Sequence, residues 1–202
     1  MRRPLLWSRI KSEAGGNGAT KLRFLGVLGA VSAYPFIIAS IALSPWFNFC
    51  ENALSDLGNV ALNGSVAVVY NAGMVASGLI VAAFGTALSI KHPSWKYLVW
   101  SLPLAVAGFD LALIGVFPED AGAVHGQVSV VFFASIAAVT LLYSYASWPL
   151  GTPRVGAASL ALGIASPLVW FFDWPWRGVA IQETITSAFA AVWLVMVSLS
   201  NA

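Results

Sequence analysis

A few side chains in this otherwise apolar chain could do chemistry: Ser55, Asp56, Asp110, Glu119, His125 and Glu183, with Asn71 as a further polar group. Asp56, Asp110, Glu119 and His125 offer oxygen and imidazole donors suited to Ca²⁺, Mg²⁺ or a mixed-ligand metal, so a divalent cation is the cofactor such residues could hold. Ser55, His125 and Asp110 have the residue types of a nucleophile, a general base and an orienting acid. Asn71, Glu119 and Glu183 could instead bind a lipid headgroup or another small polar ligand. The spacing is diagnostic of none of these, because the residues come from separate segments. Two plainer roles stay open beside them: His125 as a helix-start residue, and Asp110 as one member of a buried hydrogen-bond network that fixes helix register.

Other chemistry is excluded. Cys50 is the only cysteine, which rules out an intrachain disulfide and any multi-cysteine zinc or iron–sulfur site. The only other histidine, His92, belongs to the opposite end of the chain's layout, so neither a bis-histidine haem nor a multi-histidine zinc hydrolase can be built. The basic residues form no patch with interleaved aromatics, so nucleic acid is not an expected partner.

The elements that must position these residues follow from composition. With 59% hydrophobic and 9% charged residues and a mean hydropathy of +0.82, too few polar side chains remain to coat a water-soluble globule. A helix needs about 20 apolar residues to cross the hydrocarbon. Stretches of that kind lie at approximately 24–46, 64–90, 97–117, 125–147, 154–173 and 178–200. The expected fold is all-α: a polytopic membrane protein with a six-helix antiparallel bundle over residues 24–202, preceded by a cytoplasmic segment at 1–23. The first span reads as an uncleaved signal anchor. Leu5, Leu6, Trp7 and Ile10 could lie in the headgroup region as a short interfacial helix, with Gly15, Gly16, Asn17 and Gly18 as a flexible joint. The loop at about 47–63 is the longest connection, and Ser55 or Asp56 could cap a short helix within it.

Charge chooses the orientation. Arg2, Arg3, Arg9, Lys11, Lys21, Arg23, Lys91, Lys96 and Arg154 fall on one side, which the positive-inside rule makes cytoplasmic along with both termini, and only Arg177 falls outside. Glu51, Asp56, Asp110, Glu119, Asp120, Asp173 and Glu183 gather at or toward the outer side. Because acidic residues do little to set topology, their gathering is an independent observation. Asp110 lies roughly 13 Å inward of Glu119 on the third helix, at about 1.5 Å per residue. A carboxylate at that depth must face the bundle interior, find a partner or take up a proton. Gln127 and Gln182 could extend a polar layer with Asn71. Trp46, Trp170, Trp174 and Trp176 should anchor the outer ends of helices, and Trp95, Trp100, Tyr143, Tyr145 and Trp148 the inner ends. Pro35, Pro103 and Pro167 should bend their helices, and glycines should permit close helix approach.

Four stretches carry a resemblance: Asn52-Ala53-Leu54-Ser55-Asp56-Leu57-Gly58, Tyr70-Asn71-Ala72-Gly73, Gly115-Val116-Phe117-Pro118-Glu119, and His125 ahead of Phe132-Phe133. Together they resemble the archaeal and bacterial membrane proteins grouped as domain of unknown function 998. That family tends to carry Phe-Asn where this chain has Tyr70-Asn71. The Pro-Glu-to-His hairpin is more remotely similar to the six-helix family of autophagy modulators and GPI-anchor remodelling factors. The resemblance implies a six-helix membrane fold with its signature residues on the outer side, and implies no reaction.

Two function classes follow. One is an outward-facing acidic pocket for a lipid headgroup, small polar ligand or cation, with catalysis on a headgroup open to it. The other is a non-enzymatic accessory subunit of a larger membrane complex, whose partners would be the bilayer and other membrane subunits. A transporter is less favoured, since neither half repeats the other. In a Cys50→Ser background, a cysteine placed at Asp120 should react with a membrane-impermeant maleimide in intact cells, and one placed at His92 should react only after lysis.

Overall fold

The computed structural model describes the backbone of residues 4–201 and side chains for residues 17–200. The interfacial placement expected for Leu5, Leu6, Trp7 and Ile10, and the charges of Arg2 and Arg3, lie outside the described residues. Among the described residues there are eight α-helices: α1 (Pro4–Val31), α2 (Ala33–Leu43), α3 (Val60–Asn63), α4 (Ala67–Lys91), α5 (Trp95–Val116), α6 (Ala123–Leu150), α7 (Pro153–Leu168) and α8 (Ala180–Asn201). They make six units long and apolar enough to cross a membrane: Asn17–Leu43, Val60–Lys91, Trp95–Val116, Ala123–Leu150, Pro153–Phe171 and Ala180–Ser200. The protein is an all-helical integral membrane protein, as its composition requires, because in lipid every backbone amide must be satisfied within its own segment.

Helix ends fall where local chemistry stops them. Pro118 follows the last residues of α5, and Gly151, in the left-handed region at φ 75°, closes α6 just before Pro153 opens α7. The first span is interrupted at Ser32, where Pro35 has no amide to offer the Val31 carbonyl. Pro103 lies within an unbroken α5 and Pro167 in the last turn of α7, so only Pro35 coincides with an interruption. The backbone of α1 is helical through Gly15, Gly16, Asn17 and Gly18, where glycine content points to a joint. Glycine weakens a helix by only about 1 kcal/mol relative to alanine.

The helices form a ring in which α4 neighbours α5, α5 neighbours α6, and so on through α7 and α8 to α1, which returns to α4. Beyond the break at Ser32, α2 packs chiefly on α4. The α4–α5 contact is made backbone to backbone. A β-carbon on Gly78 would collide with the backbone of Gly108 and Ala112, one on Gly108 with Ala82, and one on Gly85 with Ser101 and Ala105. Such proximity matters in lipid, where no hydrophobic drive brings helices together and dispersion contacts must do it.

Two cores result. One half of the bundle is filled by Phe84, Trp100, Tyr143 and Trp193, with Trp100 and Tyr143 edge to face at 5.0 Å. Trp100 and Tyr143 are therefore core residues rather than interfacial anchors, since they lie on the inward faces of α5 and α6, whereas Trp95, Tyr145 and Trp148 are exposed. The other half is smaller: Leu54 and Leu57, from a 3₁₀ turn at Leu54–Gly58, enter the bundle against Tyr70, Met74, Ile114 and Ala180. The first connecting loop thus plugs one end of the ring.

Gly108→Leu should push α5 off α4 and destabilise the protein by roughly 1–3 kcal/mol, the usual cost of overpacking. Thermal unfolding in detergent should show a clear drop in Tm. Gly126→Ala, on α6 where an added β-carbon meets nothing within 4 Å, should not lower Tm and should raise it slightly through helix propensity.

Candidate functional site

The plugging loop is held by its own polar groups. Asp56 Oδ2 accepts from the Ala53 amide at 2.9 Å and from Asn52 Nδ2 at 3.1 Å, which closes the 3₁₀ turn. The expectation that Asp56 caps a short helix is met from inside the turn, the carboxylate reaching back to the residue ahead of it. Asn71 Nδ2 donates to the Gly58 carbonyl at 2.9 Å and ties the turn to α4. On the other flank, the Cys50 carbonyl accepts from the amides of Arg177 and Gly178 at 3.0 and 2.8 Å, and the Asn52 carbonyl accepts from Ala180 at 2.9 Å. Gly178 is needed there, because a β-carbon would run into the backbone of Glu51 and Asn52. The loop and the start of α8 are thereby zipped together.

This seating brings Ser55, Glu119, His125 and Glu183 to one end of the bundle. Glu119 sits on the 3₁₀ turn Glu119–Ala121, and Gly122, at φ 62°, turns the chain so that α6 starts with His125 facing back. His125 is 4% exposed. Its Nδ1 lies 2.7 Å from the Phe117 carbonyl, and its Nε2 lies 2.8 Å from Glu119 Oε2 and 3.2 Å from Ser129 Oγ. A carbonyl can only accept, so Nδ1 carries a proton. With a carboxylate on Nε2, the geometry fits an imidazolium–carboxylate pair. Hydrogen bonding from His125 holds the Glu119 carboxyl below the usual carboxylate range; partial burial opposes this, and a hydrogen bond from Ser55 reinforces it. Glu183, in the first turn of α8, accepts the Leu54 amide on Oε2 at 2.5 Å.

The other polar residues lie elsewhere. Asp110 faces α6, where Ser135 Oγ donates to its Oδ2 at 3.3 Å, and it does not line the cavity described below. The order serine–imidazole–aspartate is not formed: Ser55 meets Glu119, and the hydroxyl that meets the imidazole belongs to Ser129. Among the described residues no three His, Cys, Asp or Glu side chains gather as a metal-binding group. Gln127 is exposed rather than part of a polar layer. Gln182 is buried and accepts from Trp176 Nε1 at 3.2 Å. Trp174 stacks on Trp176 at 4.7 Å and donates to the Val169 carbonyl at 2.8 Å, so this pair braces the α7–α8 connection.

Beneath the cluster lies a cavity of about 110 Å³ in the middle of the ring, bordered by α1, α2, α4, α5, α6 and α8. Ile37, Met74, Leu111, Phe132, Ile136 and Leu194 make it apolar, while Ser55, Tyr70, Ser129, Glu183 and Ser187 supply its polar groups. The sequence predicts an acidic pocket at this end but not these apolar walls, because residues facing the cavity are as apolar as those facing lipid. Ser129 was within reach: it stands one helical turn after His125, on the same face.

A family model described as "Protein of unknown function (DUF998)" matches residues 27–200. No curated protein and no solved structure matches the chain.

The Glu119–His125 pair predicts a pH dependence. The folded-state pKa of Glu119 is depressed, so the pair's contribution is present above the ordinary carboxylate value of 4.5 and is lost as pH falls through the lower folded value. Glu119→Gln should lower Tm at pH 7, and the gap to wild type should close in acid below that value.

Proposed function

The chain belongs to the DUF998 family, and we propose that this member binds an amphiphilic molecule, its apolar part in the central cavity and its polar head against Ser55, Glu183 and the Glu119–His125 pair. One observation carries the reading: a cavity of about 110 Å³ with apolar walls ends at a half-buried carboxylate. An apolar void of this kind stays dry, yet a carboxylate on its wall calls for a polar partner. A molecule with an apolar stretch and a polar end meets both demands. Voids of roughly 150 Å³ admit a benzene-sized group, so the stretch accommodated is a ring or a short run of methylenes rather than a whole acyl chain.

The contacts of the first span support an entrance from the side. α1 packs on α8 and α4, whereas α2 packs chiefly on α4, and Ala33, Tyr34 and Ile37 of α2 border the same cavity as Ser187 and Ala191 of α8. An amphiphile could slip between α2 and α8 from the bilayer. Orientation with this end outside and both termini in the cytoplasm is supported by Lys21, Arg23, Lys91, Lys96 and Arg154, all near the opposite ends of their spans. Binding is favoured over acyl transfer because the Ser55 hydroxyl is engaged by a carboxylate rather than by an imidazole base.

Protein purified in mild detergent should release a stoichiometric amphiphile on organic extraction, read by mass spectrometry. Ala191→Phe, which fills the void, should abolish that yield without lowering Tm. If wild-type and filled protein carry the same lipids in the same amounts, the cavity is not a binding site.

A further inference from the structure

Resting on that reading, we infer that the head group selected by the cavity is a cation, with Glu183 as its counter-ion. The carboxylates at this end differ in what already satisfies them. Glu119 has the His125 imidazole and the Ser55 hydroxyl. Asp56 has the Ala53 amide and the Asn52 side chain. Glu183 has one backbone amide, from Leu54, and no Lys, Arg or His within ion-pair distance among the described residues. A carboxylate on the wall of a low-dielectric cavity with a single neutral donor is under-compensated, and a positive head group completes it.

Two further features agree with a cation. Tyr34, Tyr70, Phe132 and Phe133 border the cavity alongside Glu183, and aromatic faces attract ammonium groups through their quadrupoles. In the loops at this end of the bundle, Glu51, Asp120 and Asp173 stand with a single basic side chain, Arg177. The resulting negative potential draws cations and repels phosphate or carboxylate heads. Each feature alone would be weak; together they place a half-buried carboxyl group, aromatic walls and an excess of acidic loop residues at one end of the bundle. An amine-headed or quaternary-ammonium amphiphile satisfies all of them, whereas an acidic lipid would bring a second negative charge to Glu183.

Octylammonium, octanol and octanoate share one chain and differ in head charge, so they separate head from tail. With the full-length protein in zwitterionic nanodiscs, native mass spectrometry should show octylammonium binding at least about tenfold tighter than octanol, the lower end of what one partner of a desolvated charge pair is worth, and octanoate not at all. Glu183→Gln, whose amide oxygen can still accept the Leu54 amide, should bring the octylammonium-to-octanol affinity ratio to about one, with circular dichroism and thermal unfolding in detergent reporting that the variant is folded. Equal binding of octanol and octylammonium by the wild type, or an ammonium preference that survives Glu183→Gln, overturns the cationic head and leaves amphiphile binding standing. Failure of all three to bind overturns both.

Discussion

The hydrogen bond from the Leu54 amide to the Glu183 carboxylate joins residues separated by 129 positions, and the loop end of the bundle is organised around it. It holds the 3₁₀ turn onto α8, which lets Leu54 and Leu57 fill the end of the ring and brings Ser55 to Glu119. It also anchors a carboxyl group beside an apolar void. In a soluble protein such a carboxylate could turn out to water. Here the walls of the bundle deny it that route, so the loop must carry its amide to the charge. The backbone bonds among Cys50, Asn52, Arg177, Gly178 and Ala180 hold the loop in the same place from outside.

The void exists because the helices are not packed with equal closeness around the ring. Between α4 and α5, Gly78, Gly85 and Gly108 allow backbone contact, and that side is tight. Along the first span, Pro35 removes one helix hydrogen bond at Ser32, and α2 packs on α4 rather than α8. Large aromatic residues fill the half of the bundle around Trp100 and Trp193, but nothing comparable fills the middle beneath the plug. A stable scaffold at one end and an unfilled space at the other suit a protein that holds a guest.

The six spans were legible because hydropathy over about 20 residues reports what a helix must do in lipid, and their ends were marked by Pro118, Gly151 and Pro153. The pairing of Glu119 with His125 was half legible. Both residues stood in one short connection, yet only the turn at Gly122 decides that the ring faces the carboxylate. Asp110 shows the limit most clearly. Its depth in an apolar helix singles it out, but whether it looks into the ring or toward α6 depends on rotation about the helix axis, and it meets Ser135 instead of the cluster. The same ambiguity hid the burial of Trp100 and Tyr143, since a tryptophan or tyrosine near a helix end can point to the headgroups or to the core.

The sequence by itself determined that this chain is a six-span, all-helical membrane protein with every acidic residue but Glu13 toward one end, because transfer free energies add along a chain without reference to its neighbours. Which acidic residues meet was decided only by the tertiary structure. Helix rotation and the seating of the first loop pair Glu119 with His125, put Glu183 on the cavity wall, set Asp56 to closing its own turn and leave Asp110 aside. The cavity is also a property of the assembled ring, since an apolar face reads identically whether it meets lipid, a neighbouring helix or empty space.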